Sequence, residues 1–263
     1  MLLGIDTSGA VSTAVMGGDL DAPDAAVRHM RSDTRARHHD EVLLALVDGV
    51  LQDAGASRAE LTGVVVGRGP GPFTGLRVGL VAARSIAAVL GIPLHGVCSL
   101  DALAHQALAE ADTADRADTA DGADGADGAD GADGAEGADG NARDLPERTV
   151  AVALDARRRE VYHARYRRLA DGTVRREAGP AVAPPADVAA ELTACDLLVG
   201  SGARLYPDLL PATSELVDAD ASHLIEVAAL LHAQGEDLTS TDPLYLRDPD
   251  AAKPTARKSA LGR

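Results

Sequence analysis

Apolar residues run together without a polar interruption at four places in this chain, Leu2 to Ile5, Val64 to Val66, Val150 to Leu154 and Leu197 to Val199, each followed by Gly or Asp. Such runs read as strands covered on both faces. Ala10 to Met16, Ala25 to Met30, Leu94 to Val97 and Glu160 to Arg167, the last with alternating apolar and polar residues, read as further strands. Helical spacing joins Val42, Leu43, Leu46, Val47, Val50 and Leu51, and again Leu76, Leu80, Ala83 and Ala87. Further helices are expected over residues 100 to 108, capped by Ser99, and 223 to 234, capped by Ser222. The elements therefore alternate as in an α/β fold.

The stretch GVVVGRGPGPFTGLRVGLVAARSIAAVL, residues 63 to 90, carries the densest chemistry. A buried strand enters a loop in which Gly67, Gly69 and Gly71 alternate with Arg68, Pro70 and Pro72, and a long helix leaves it. Thr74 is the expected helix cap, and the free amides of the first turn, with Arg77 nearby, suit an anion such as phosphate. A structural turn is the competing reading. Neither established phosphate motif fits: Gly75 is followed by Leu76 and Arg77, not by Lys and a hydroxyl residue, and Pro72 stands where a dinucleotide fingerprint needs its third glycine. The small residues Gly79, Ala82, Ala83 and Ala87 allow close approach of another helix, from this chain or from a partner.

The strand ending in Asp6 turns through Thr7, Ser8 and Gly9, a turn whose carboxylate and hydroxyls suit a phosphate or a metal-bound water, or equally an ordinary Asx turn. Thr149 to Asp155 repeats the pattern: strand, Asp, a turn through Arg157 to Arg159, second strand. Asp6 and Asp155 thus occupy equivalent places in an internal duplication. Two such lobes resemble the way actin-like ATPases and sugar kinases are built, which implies an α/β, actin-like ATPase fold of the ribonuclease H-like kind. The lobes are expected at residues 1–110 and 147–248, with an insertion at 111–146 and a basic tail at 249–263 holding Lys253, Arg257, Lys258 and Arg263.

The insertion repeats Ala-Asp-Gly with a period of three and lacks the proline of collagen and the spacing of a calcium loop. It reads as disordered from about Ala111, so deleting residues 111 to 143 is expected to leave stability unchanged. It also explains the formal charge of −16, since residues 110–147 hold thirteen acids and two arginines. The folded remainder is only mildly acidic, and with no Trp and one Phe it offers few base-stacking platforms. Cys98 and Cys195 are isolated thiols, which points to a reducing compartment. Without a leader pattern or a stretch of about 20 apolar residues, a cytoplasmic protein without membrane contact is expected. His38 and His39 point about 100° apart on a helix and read as surface residues. Gly200-Ser201-Gly202 forms a turn without the spacing of a nucleophile elbow.

IDTS at residue 5, GRGPGPFTGLRVGL at 67, ALDARRREVYHARY at 153 and PLYLR at 243 fall in the order found in the bacterial TsaB (YeaZ) family, which the chain resembles over nearly its whole length. The resemblance implies a non-catalytic scaffold and activator in the complex that transfers threonylcarbamoyl from threonylcarbamoyl-AMP to the tRNA adenosine beside the anticodon. Its partners are implied to be a TsaD-like catalytic subunit and a TsaE-like ATPase, with tRNA reached through the complex. Partner contacts carry over to Val42, Leu46, Val50, Arg77, Leu80, Val81 and Arg84. Nucleotide contacts, if this subunit makes them, fall on Asp6, Thr7, Ser8, Gly69, Gly71 and Asp155.

No catalytic residue and no metal ligand is expected here, because none of the eight histidines has a second histidine four residues on. The positions that align with the catalytic partner's metal ligands fall near Ser99 and Leu103. ATP or ADP and a divalent metal are accordingly expected in the complex, with no cofactor required by this subunit. The alternatives are a stand-alone actin-like kinase or ATPase acting on a small molecule, and a homodimer pairing the same helix face with itself.

Overall fold

The computed structural model describes residues 1–34, 39–121 and 145–247. Its first sheet contains β1 (Leu2–Asp6), β2 (Val11–Gly18), β3 (Pro23–Asp33), β4 (Gly63–Gly67) and β5 (Leu94–Val97), in the order β3-β2-β1-β4-β5. The first three strands form an antiparallel meander, and β4 and β5 add in parallel beside β1. The second sheet contains β6 (Arg148–Asp155), β7 (Val161–Arg168), β8 (Val174–Ala183) and β9 (Leu197–Val199), in the order β8-β7-β6-β9. It repeats the same plan, three antiparallel strands and a parallel fourth beside β6. The duplication read from the sequence is therefore a duplication of topology, and the fold is the two-lobed actin-like α/β arrangement.

Six helices cover the sheets among the described residues: α1 (His39–Asp53), α2 (Phe73–Leu90), α3 (Ser99–Asp121), α4 (Pro185–Leu192), α5 (Ser201–Leu205) and α6 (Ala221–Ala233). Strand alternation sorts the core into layers. Leu3, Ile5, Val64 and Val66 pack under α1 and α2, while Leu2 and Val65 face α6 on the opposite side. In the second lobe Val150, Val152 and Leu154 meet α3, and Ala151 and Ala153 meet α4 and α5. Each fully buried Leu or Val contributes about 1.5–3 kcal/mol through its removal from water.

Two helices exchange lobes. α3, which follows the first sheet in sequence, packs on β6 and β7, whereas α6, which follows the second sheet, packs on β1, β2 and β4. They then pack against each other. The sequence boundaries at 110 and 147 therefore cut across the packing, because α6 completes the core of the first lobe.

Residues 241–247 tie the lobes a second time. Leu244 N–H donates to the Arg68 carbonyl at 2.8 Å, and the Arg247 guanidinium donates to the Ala156 carbonyl at 2.7 Å and pairs with Glu160.

Several local expectations change. Thr74 does not cap α2: Pro72 holds the N-cap position, and no side chain closes that end. Asp220, not Ser222, caps α6 by accepting from the Ser222 amide at 2.7 Å. The tract beginning at Ala111 is not wholly without structure, since α3 continues to Asp121. Its early acids anchor it. Arg168, only 3% exposed, pairs with Asp112 at 2.7 Å and donates to the Pro146 carbonyl, and Arg148 pairs with Asp115. His38, residues 122–144 and the tail from 248 lie outside the described residues.

Arg168 overturns the expectation that residues 111 to 143 can go without loss, because removing Asp112 leaves a buried guanidinium unpaired. Asp112→Ala is expected to lower unfolding free energy by about 3 kcal/mol or more in urea titrations. Deleting only residues 122–143 should change it by less than ~1 kcal/mol.

Candidate functional site

Five of the residues expected to hold nucleotide converge where β1 ends. Asp6, Thr7 and Ser8 are buried; in the loop after β4, Gly71 lies against Ser8, and Gly69 is joined to Asp6 through the Ser99 hydroxyl. Asp155 stands apart in the second sheet, accepting from the Arg157 amide at 2.8 Å and pairing with its guanidinium at 3.0 Å. The turn after Asp155 carries three successive left-handed residues, Arg157, Arg158 and Arg159, at φ near 59°, 55° and 62°. That conformation is uncommon outside glycine and holds the arginines at the lip of the hairpin.

The Asp6 carboxylate is closed in by its own chain. Oδ1 accepts from the Ser8 amide at 2.7 Å and from the Ser8 hydroxyl at 2.5 Å, and Oδ2 accepts from the Ser99 hydroxyl at 2.6 Å. Burial pushes the Asp6 pKa up, and these hydrogen bonds oppose the shift. Asp218 lies nearby, its pKa also raised, first by burial and then by the Asp6 charge. Ser99 completes the junction: its hydroxyl accepts from the Gly69 amide at 3.2 Å and its own amide donates to the Gly69 carbonyl at 2.9 Å. The Gly69 amide is thereby engaged, while no side chain caps the first turn of α2.

The glycines permit this closure. A methyl on Gly67 would lie 2.0 Å from Asp6 Oδ2, and one on Gly79 would lie 2.3 Å from Thr7 Oγ1. Thr7 therefore rests against α2 through Gly79, with its hydroxyl making no hydrogen bond among the described residues.

A different surface stands open. The outer faces of α1 and α2 border a groove of about 680 Å³ lined by Leu43, Leu44, Phe73, Val78, Val81 and Ile86, among others. Leu44 is 50% exposed, Phe73 47% and Val81 60%, and Val89 farther along α2 is 84% exposed. Phe73 stacks on Tyr245 at 5.1 Å, with the Arg77 guanidinium 3.9 Å over its ring. Arg77 also donates to the Tyr245 hydroxyl, and Arg84 to Thr241.

By length and hydropathy α2 is apolar enough to cross a bilayer. Its inner face, however, through Leu76, Leu80, Ala83 and Ala87, is part of the core.

Of the residues expected on a partner surface, Arg77, Val81 and Arg84 lie on the exposed side of α2, and Val42 and Leu46 are half-buried on α1. Val50 and Leu80 are in the core, with no surface to offer. Leu44 and Phe73 share that exposed side, with Tyr245 stacked on Phe73, and the sequence reading did not single them out.

Comparison with known proteins adds the relationship. A family model described as TsaD: tRNA N6-adenosine threonylcarbamoyltransferase matches residues 33–118. An uncharacterized protein of Mycobacterium tuberculosis (strain ATCC 25618 / H37Rv) is 35% identical over 257 residues, 97% of this chain and 95% of the relative. The tRNA threonylcarbamoyladenosine biosynthesis protein TsaB of Escherichia coli (strain K12) is 28% identical over 228 residues, 82% of this chain and 84% of that protein. The structure of YeaZ from Pseudomonas aeruginosa superposes with a TM-score of 0.65 at 27% identity, covering 93% of this chain and 99% of that one.

The chain belongs to the TsaB (YeaZ) family.

Ser99 and Leu103, near which the resemblance placed the catalytic relative's metal ligands, both have structural roles in this chain. Ser99 is the buried partner of Asp6, and Leu103 is a core residue of α3. A separate cluster escaped the sequence reading of this TsaB-family chain. His105 of α3 meets His223 and Glu226 of α6, residues whose separation in sequence carries no spacing signal. Burial holds the His105 pKa down to about 4, with the neighbouring His223 adding to the shift.

The close packing at Thr7 can be tested directly. Thr7→Val should leave stability within ~0.5 kcal/mol, because the hydroxyl makes no hydrogen bond. Gly79→Ala should lower it by about 1–3 kcal/mol through the clash with Thr7, both read from urea denaturation.

Proposed function

We propose that this chain is the non-catalytic, activating subunit of the complex that transfers threonylcarbamoyl from threonylcarbamoyl-AMP to the tRNA adenosine beside the anticodon. It docks on a TsaD-like catalytic subunit through the groove between α1 and α2. The observation that carries this reading is the continuous apolar surface of Leu44, Phe73 and Val81 on two helices whose inner faces are already used by the core. Apolar surface of that kind, rimmed by Arg77 and Arg84, suits a protein partner with a complementary helical face.

The closed hydrogen bonding of Asp6, Ser8, Ser99 and Gly69 supports the second half of the reading. With its carboxylate and loop amide satisfied internally, this lobe supplies shape and surface, and ATP or ADP and a divalent metal belong to the assembled complex. A TsaE-like ATPase joins that complex, and tRNA is reached through it in the cytoplasm. In the absence of the partner the same face pairs two copies of the chain. The relatives named for tRNA threonylcarbamoyladenosine biosynthesis are consistent with this assignment.

The test is reconstitution with the TsaD-like protein of the same organism, followed by a tRNA modification assay. Val81→Asp places a charge on the exposed side of α2 and should weaken the complex by about tenfold or more, with a parallel loss of modification and an unchanged circular dichroism spectrum. A complex and activity both unaffected by Val81→Asp and Leu44→Asp would overturn the docking surface. Magnesium-dependent ATP hydrolysis by the isolated chain, lost in Asp6→Ala, would replace the scaffold reading with that of an independent ATPase.

A further inference from the structure

His105, His223 and Glu226 sit where α3 and α6 cross, the one helix packed on the second sheet and the other on the first. His223 and Glu226 are three residues apart on α6 and so share one face of it. Their ligand-type atoms converge closely. His105 Nδ1 lies 3.1 Å from His223 Nδ1, His223 Nδ1 lies 2.7 Å from Glu226 Oε2, and His105 Nδ1 lies 3.4 Å from the same oxygen. We propose that these three side chains form a binding site for a divalent transition ion of the Zn²⁺ class, clamping α3 to α6 and with them the two lobes.

The chemistry of the triangle favours a cation over protons alone. Each neutral imidazole carries one N–H, so the two facing Nδ1 atoms can share a proton only if one presents its lone pair. If His223 donates to Glu226, its N–H is turned from, or shared with, the His105 lone pair. If His105 donates to His223, the His223 lone pair faces the carboxylate oxygen at 2.7 Å. An ion uses all three lone pairs together.

The distances also fit. A triangle with these edges has a circumscribed radius of about 1.8 Å, so an ion at the usual ~2.0–2.1 Å from nitrogen and oxygen ligands sits roughly 1 Å out of the plane.

The surroundings are those of a ligand set with one position free. His105 also lines a cavity of about 550 Å³ between α3, α6 and the second sheet, so one member of the ligand set borders open space. The second carboxylate oxygen, Glu226 Oε1, is held by Arg28 at 2.5 Å, fixing the carboxylate while Oε2 remains for the ion. The cation of Arg28 opposes the charge of the metal and sets the affinity below that of a four-ligand structural site. Two imidazoles and one carboxylate suit Zn²⁺ or Co²⁺, whereas Mg²⁺ and Ca²⁺ favour oxygen ligands.

The site is tested with untagged, full-length, chelator-treated protein by calorimetric titration with zinc chloride, and independently with Co²⁺ by visible absorption. The expected result is saturation at one ion per chain with a Kd on the order of micromolar or tighter, the intense visible bands of four-coordinate Co²⁺, and a melting temperature that rises with Zn²⁺. His105→Gln, His223→Gln and Glu226→Gln should each weaken binding by about tenfold or more and abolish the thermal shift. Circular dichroism of the metal-free variants reports their folding, and the Co²⁺ spectrum of the unaltered chain does not depend on it. No saturable binding, a six-coordinate Co²⁺ spectrum, or equal affinity in the variants would overturn the proposal.

Discussion

The burial of one carboxylate organises the first lobe. Asp6 ends β1, and its two oxygens are satisfied by Ser8 on its own turn and by Ser99 at the start of α3. A buried, charged group without such partners carries a penalty of several kcal/mol, so the turn, the loop after β4 and the start of α3 must keep their positions together. Gly67 is where the strand comes too close to Asp6 for any side chain, and Gly79 is where α2 comes too close to Thr7. Because these glycines let α2 press its inner face onto the sheet, the apolar residues on its outer face are left facing water. The same close packing that encloses the Asp6 carboxylate thereby holds the exposed face of α2 in place.

The lobes are then fixed to each other by crossing helices. α3 gives its apolar face to the second sheet and α6 gives its own to the first, so neither lobe's core is complete without an element from the other half of the chain. Residues 241–247 add a second connection, from Arg68 and Phe73 in the first lobe to Ala156 in the second. In a two-lobed fold that closes on a ligand, such connections limit hinge motion. Here they suit a scaffold that presents a fixed face.

Much of this was legible in the sequence. The continuous apolar runs placed β1, β4 and β6, the repeated strand, Asp, turn, strand pattern showed the duplication, and helical spacing set Leu76, Leu80, Ala83 and Ala87 on one face of α2. That spacing grouped Leu80 with its neighbours but left open whether the face met this chain or a partner; the structure places it in the core, as it does Val50, whereas the carry-over from the family had put both on the partner surface. Other features depend on contacts that spacing does not reveal. Asp112 lies in an acidic tract that looks uniformly solvated, and only its pairing with buried Arg168 sets it apart. Phe73 and Tyr245 meet because the C-terminal segment folds back over α2, and His105 reaches His223 across 118 residues of sequence.

The most direct test of the scaffold reading is hydrogen–deuterium exchange of the chain alone and in complex with its TsaD-like partner. New protection on binding is expected over α1 and the outer turns of α2, with exchange at the β1–β2 turn and at β6–β7 unchanged. Protection confined to residues 6–9 and 153–166, with α2 unaffected, would contradict it and return the function to the cleft between the lobes.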